Sequence, residues 1–312
     1  MENLVFTDSS LSGLNRLTIY VIPSKEKYDW SSPHTLYKSY IKNSWKNLFS
    51  KTNYLLGHAF LDLQPAIDGE RIFTGMRSVS RKEQKDLVFN QHYGLAILGC
   101  GLKGRLETED ELEYKLGKFS RNGRLAFIEF LISDAATVRL TEFFNSYKAR
   151  VDSCLPGAGY GGAYYPRYKG EGSGCSAFVI SFLDLSGLLM VEFDEWLVKI
   201  DIPMSLVGGP YNNFNEVTIK DIRKEKSWAD VSGSGPGNYE HLEMYDPTLM
   251  YEWIHSVVNN KGVHGDISSI PLQLEKAQGI RIDSREQPLP EIEGIFLERD
   301  KPSLFINHQE VR

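Results

Sequence analysis

The sequence predicts an α+β fold in which a mostly antiparallel sheet packs on a buried helix that begins at Cys175. Three observations predict it. The run CSAFVISFLDLSGLLM at 175–190 is almost wholly apolar and lacks the polar face of a surface helix. RLTIYVIP at 16–23 and LAFIEFLI at 125–132 are β-branched and aromatic, as strands are. NYLLGHAFLDL at 53–63 and ERIFT at 70–74 flank a turn at 65–69 and read as a hairpin.

In chain order, Leu36, Tyr40, Ile41, Trp45, Leu48 and Phe49 recur at three or four residues, which predicts an amphipathic helix over 34–49. Ser80 with Glu83 has capping-box spacing for a short helix ending near Asn90, and Thr108 with Glu111 repeats the pattern. Residues 93–100 read as a strand between glycines. Ser133 caps a helix over 134–150, with Val138, Phe144, Tyr147 and Val151 on one side. A long glycine-rich loop, 152–174, then delivers Cys175. A loop of that length within a domain is functional or disordered, and its position favours a functional role. MSLVG at 204–208 reads as a strand and 226–242 as loop. Pro247 suits the first turn of a helix carrying Met250, Tyr251, Trp253, Ile254 and Val257. The last forty residues are short apolar pieces broken by prolines, either edge strands or a small appendage.

With 312 residues and 41% hydrophobic content, the chain can bury a sizeable core without disulfide staples. The formal net charge of −6 is spread without a basic stripe, which argues against general nucleic-acid binding and polybasic membrane attachment. No uncharged apolar stretch reaches the ~18 residues of a membrane helix, so no integral membrane segment is expected. The N-terminus lacks the basic and apolar regions of a signal peptide. The expected location is therefore cytoplasmic, or exported with a leader already removed. The cysteines are Cys100, Cys154 and Cys175. No CxxC pair is present, so neither a zinc site of that kind nor any cofactor is expected. Cys100 and Cys154 can form a disulfide only if the protein is exported.

Cys175 is the candidate nucleophile. In the first turn of a helix it lies at the positive end of the dipole, which favours the thiolate, the nucleophilic form. The flanking glycines leave room for a substrate to approach the backbone. A lone cysteine is also commonly a small buried hydrophobe, and that reading stands beside the catalytic one. A cysteine nucleophile needs a base within hydrogen-bond reach. His58 interrupts an apolar strand with Gly57 beside it, and is either that base or a satisfied core histidine. His241, in NYEHLEMYDP, is the alternative base. Glu70, at the start of the strand after His58, is either the carboxylate that holds the imidazole or a solvated turn residue.

YGG at 160–162 followed by GCSAFV at 174–179 resembles the signature of the NlpC-like, papain-fold cysteine peptidases. There a tyrosine and a Gly-Gly pair precede a Cys-Ser dipeptide that opens a buried helix. GHAFLDL with Glu70 is similar to that family's histidine strand and the third polar residue on the next strand. In the common family order the cysteine comes first. Here His58 precedes Cys175 by 117 residues, so the resemblance is to the circularly permuted branch. That branch includes bacterial hydrolases of cell-wall peptides, lipid-directed amidases and acyltransferases. The resemblance covers roughly 53–74 and 160–190. Gly174 stands where the family has Asp, and Ala177 where it has Gly.

The resemblance implies a papain-like hydrolase domain over 1–260 with an insert at about 76–150. A C-terminal extension, 261–312, follows. It implies cleavage of an amide bond in a cell-wall peptide by Cys175, His58 and Glu70, without a cofactor or metal. Tyr160 would help line the oxyanion site, with Tyr164 and Tyr165 as alternatives, and loop packing is the competing role for all three. The backbone N–H of Cys175 is a second donor, because first-turn amides have no helical partner. A peptide or peptidoglycan fragment is the expected partner. A lipid amidase or acyltransferase on the same fold, a non-catalytic binding protein and an adhesive tyrosine loop are the alternatives.

Overall fold

The computed structural model describes residues 11, 13–50, 55–66, 69–152, 159–230, 237–264, 267–291, 294–301 and 303–306. The strands in chain order are β1 (Arg16–Ile22), β2 (His58–Gln64), β3 (Ile72–Thr74), β4 (Met76–Ser78), β5 (Leu102–Leu106), β6 (Ala126–Leu131), β7 (Gly159–Tyr160), β8 (Leu197–Pro203) and β9 (Tyr239–Tyr245). They continue with β10 (Val263–His264), β11 (Ile267–Ser268), β12 (Ile270–Leu274) and β13 (Ala277–Asp283). The helices are α1 (Pro33–Ser50), α2 (Arg81–Phe89), α3 (Glu109–Arg121), α4 (Asp134–Asp152), α5 (Cys175–Leu185), α6 (Ile219–Lys224) and α7 (Pro247–Asn259). The class is mixed α+β.

The main sheet has the order β12-β13-β6-β1-β2-β3 and is antiparallel except where β13 lies parallel to β6. Its inner strands β1, β2 and β6 are buried on both faces, so both are covered. Leu17, Ile19, Val21, Ala59, Leu61 and Ile128 join the large core formed with α4, α5 and α7. The alternate residues Tyr20, Ile22, Phe60 and Phe127 pack under Leu112, Leu116 and Phe119 of α3 on the other face. Helix α5 lies on β2 with only Ala177 and Asp184 partly exposed. Phe178 packs at a tilt, 5.5 Å from Tyr147 of α4, and Phe182 lies 5.5 Å edge-on to Phe143. A Phe→Ala change at either α5 position removes about 3–5 kcal/mol.

A second core gathers Tyr93, Leu95, Val198, Ile200, Ile202, Leu242 and Phe305 around the β8–β9 ribbon. Here several expectations need correction. Residues 93–100 form no strand: Tyr93 and Gly94 make isolated bridges, and Leu95–Leu98 is a 3-10 turn that begins after Gly94 at φ +56°. Residues 204–208 are likewise a 3-10 turn, Met204–Leu206, because Pro203 closes β8. The segment expected as loop over 226–242 instead contains the start of β9. His241 and Glu243 are exposed and only Leu242 is buried, so its alternation is faint in sequence. On α4, Val138 is 58% exposed, off the row Thr137, Leu140, Phe144, Tyr147 and Val151 that meets the core.

Residues 76–150 are not a peripheral insert, since β6 pairs with both β1 and β13 in the main sheet. Of 261–312, β12 and β13 complete that sheet and Phe305 is fully buried. Residues 53–54, 153–158, including Cys154, and 233–236 of the GSGPGN stretch lie outside the described residues, as do the side chains of Leu48 and Phe49. Among the described residues, no helix is long and apolar enough to cross a membrane.

Candidate active site

The site forms where the start of β2 meets the start of α5. Gly57 precedes β2 at φ +86°, and a Cβ there would sit 2.8 Å from the Ile22 carbonyl oxygen. Only glycine makes that turn without strain, and it delivers His58 into the interior with 1% of its surface exposed. Gly174 is the extended N-cap of α5, so Cys175 is the first helical residue, with 9% of its surface exposed. The Cys175 sulfur is hydrogen-bonded by the His58 ring, the Tyr160 hydroxyl and the Ala59 backbone N–H. Burial alone pushes the thiol up. The His58 bond and charge, with Tyr160 and Ala59, outweigh burial and bring it down to about 7.

The carboxylate on His58 is Glu107, whose Oε2 lies 2.6 Å from Nε2. Glu107 sits between β5 and α3 and is held on both sides. Its N–H donates to Gly75 O at 2.8 Å, and its carbonyl accepts from Thr74 Oγ1 at 3.2 Å. A Cβ on Gly75 would lie 2.8 Å from Glu107 Oε2, so glycine leaves the passage through which that carboxylate reaches His58. The capping box of Thr108 and Glu111 fixes the start of α3. Two turns on, Lys115 places its ammonium on Glu107 Oε1. Burial pushes Glu107 up, but the charges and hydrogen bonds of His58 and Lys115 take it down to about 2. Burial disfavours the imidazolium, but Glu107 and Cys175 raise His58 above its ordinary value.

Tyr160 arrives on β7, which pairs with β5 through Leu102. The same three-stranded sheet, β4-β5-β7, therefore sets both Tyr160 and the segment that carries Glu107. Ser173 N–H donates to Gly159 O at 2.9 Å and ties β7 to the approach to α5. The Tyr160 hydroxyl bonds the sulfur and accepts from the Cys175 backbone N–H. Burial and the adjacent thiolate hold the phenol well above its usual range. Two glycines of this loop are demanded by chain packing, while Gly174, beside Cys175, is less confined, with a Cβ there 3.2 Å from Gly161 O. A Cβ on Gly172 would fall 1.8 Å from Gly159 O, and one on Gly161 would fall 2.4 Å from Cys100 O.

The expected site residues thus divide. Cys175, His58 and Tyr160 come together. Glu70 does not: it is exposed just before β3, and Glu107 takes the place expected for it. Tyr164 is buried, with its hydroxyl donating to Phe305 O at 3.2 Å. Tyr165 donates to Asp184 Oδ2 at 3.0 Å, beside the Arg167–Asp184 ion pair. His241 lies exposed on β9 between Asp201, 2.7 Å from Nδ1, and Glu243. Glu107 and Lys115 were missed. The signal that points to Glu107 is a carboxylate set immediately before a helix cap, where strand and helix together fix its position.

Among the described residues, no group of three or more His, Cys, Asp or Glu side chains is arranged to hold a metal ion. Chemically, the arrangement offers a thiol poised to ionise against an imidazole, a carboxylate behind that imidazole, and a helix N-terminus at the sulfur whose first N–H is met by the Tyr160 hydroxyl. Comparisons with family models, with curated proteins and with solved structures returned no match.

Proposed function

We propose that this chain is a cysteine hydrolase that cleaves an amide bond, on a circularly permuted core of the NlpC-like, papain-fold kind. The observation that carries the reading is the continuous hydrogen-bonded chain from Cys175 through His58 to Glu107. A buried structural cysteine needs none of these partners, whereas a nucleophile needs a base in reach and is helped by a group that orients that base.

In the reaction, His58 takes the proton of Cys175 and the thiolate attacks the amide carbonyl carbon. The C–N bond then breaks, and the imidazolium passes its proton to the leaving amine. A water, deprotonated by His58, attacks the thioester. The C–S bond breaks, the acid product leaves and the thiol is restored. Glu107 holds the ring tautomer and the charge of the imidazolium. The Cys175 N–H and the Tyr160 hydroxyl are the donors for the oxyanion that forms at the carbonyl. The resemblance in YGG and GCSAFV makes a cell-wall peptide the substrate class of choice.

Digestion of purified peptidoglycan fragments tests the reading. Wild type releases new amino termini, and Cys175→Ser releases none. Equal release by both removes the thiol mechanism. Release only from N-acylated lipids moves the substrate to the lipid amidases.

A further inference from the structure

Both oxygens of Glu107 are occupied. Oε2 holds His58, and Oε1 holds the ammonium of Lys115. Lys115 is 8% exposed and Glu107 4%. Lysine is among the residues least often buried, and taking its charge out of water is costly unless the charge is matched. A methionine would fill the same position on α3 without that cost. The charge therefore calls for a reason, and the arrangement supplies one. With the thiolate and imidazolium formed, the buried groups Cys175, His58, Glu107 and Lys115 alternate in sign along one line.

We propose that Lys115 is a positioning residue for the reaction above, acting through Glu107 to set how tightly His58 holds its proton. This rests on the function proposed in the preceding section. A carboxylate facing only an imidazole concentrates its whole charge on that ring and makes the imidazolium a reluctant acid. Sharing the carboxylate with an ammonium weakens that hold, so His58 can both accept the proton of Cys175 and give it to the leaving amine. The other charged groups facing this line are Arg77 from β4 and Glu111 on α3 itself, with the Tyr160 phenol beyond the sulfur. Arg105 and Arg77 both reach Glu111, so their charges are largely spent on that carboxylate.

The test is the titration of the His58 ring by nitrogen NMR on a Cys175→Ala background, where no sulfur titrates beside it. Lys115→Gln keeps a donor on Glu107 and removes the charge. It is expected to raise the His58 midpoint by about one pH unit, and Lys115→Arg to restore the original value. Should the glutamine variant fail to fold, Lys115→Met reads the same shift. Coincident midpoints for Lys115 and its neutral variants would overturn the proposal.

In the Cys175-containing protein, Lys115→Gln is expected to lower amide turnover about tenfold while iodoacetamide labelling of Cys175 at neutral pH persists. Alkylation needs the thiolate but no proton donor. Equal loss of both would also overturn the proposal. The titration needs neither substrate nor thiol, so a failed digestion assay and a failed coupling are told apart.

Discussion

The two ends of β2 carry two buried carboxylate clusters built from different partners. At the far end, Asp62 is bound by Arg71 through two bonds, at 2.8 and 2.7 Å. Two strands away, Glu129 takes Arg281 at 2.6 Å. At the near end, Glu107 takes a histidine and a lysine, and the histidine leads to a cysteine. Arginine does not give up its proton in a protein, so the first cluster is a fixed set of charges. Histidine and cysteine both change charge near neutral pH, so the second can move a proton. The difference between a cluster that only ties a sheet together and one able to pass a proton lies in the partners, not in the burial of the carboxylates.

Neutralising one carboxylate in each cluster breaks the comparison most sharply. Glu107→Gln keeps the shape and removes the charge behind His58. Amide turnover is expected to fall by about 10² to 10⁴, the range over which loss of a comparable carboxylate acts. Asp62→Asn is expected to leave turnover unchanged and to cost about 1–3 kcal/mol of stability, measured by denaturant unfolding. If both variants lost activity alike, the two clusters would not differ in kind.

A smaller effect sharpens the near end. Tyr160→Phe removes one donor to the sulfur and leaves His58 and the Ala59 amide in place. The midpoint of Cys175 alkylation is expected to rise by about half a pH unit. A midpoint that stays put would reduce Tyr160 to packing.

The contact between Cys175 and His58 was legible because each residue breaks its surroundings. One is a thiol at the head of an apolar helix, the other a ring inside an apolar strand after a glycine. The two remaining partners were not legible, and the reason is topological. The hairpin reading looked for the carboxylate on the next strand, where Glu70 lies in solvent. The chain instead turns at Gly75 into β4, pairs Met76 with Leu106, and so brings in Glu107, which is 37 positions further along. No local period records that pairing. Of the loop tyrosines, Tyr160 reaches the sulfur as expected, and only the alternatives Tyr164 and Tyr165 missed, for a related reason. Tyr160, Tyr164 and Tyr165 share composition and neighbourhood, but only β7 pairing aims a hydroxyl at the sulfur, while the other two find Phe305 and Asp184. The β8–β9 ribbon escaped because its register sets Asp201 opposite His241 on an exposed face, where charge hides the strand pattern.

The most direct measurement of the central claim is the rate of Cys175 alkylation by iodoacetamide as a function of pH, with the labelled cysteine identified by mass spectrometry. The thiol is uncharged below its midpoint and a thiolate above it, so the rate rises with pH through that value. A midpoint near 7, moved upward by His58→Ala, is the expected result. A midpoint at or above 8.5, the value of an ordinary thiol, with no response to loss of His58, would contradict it.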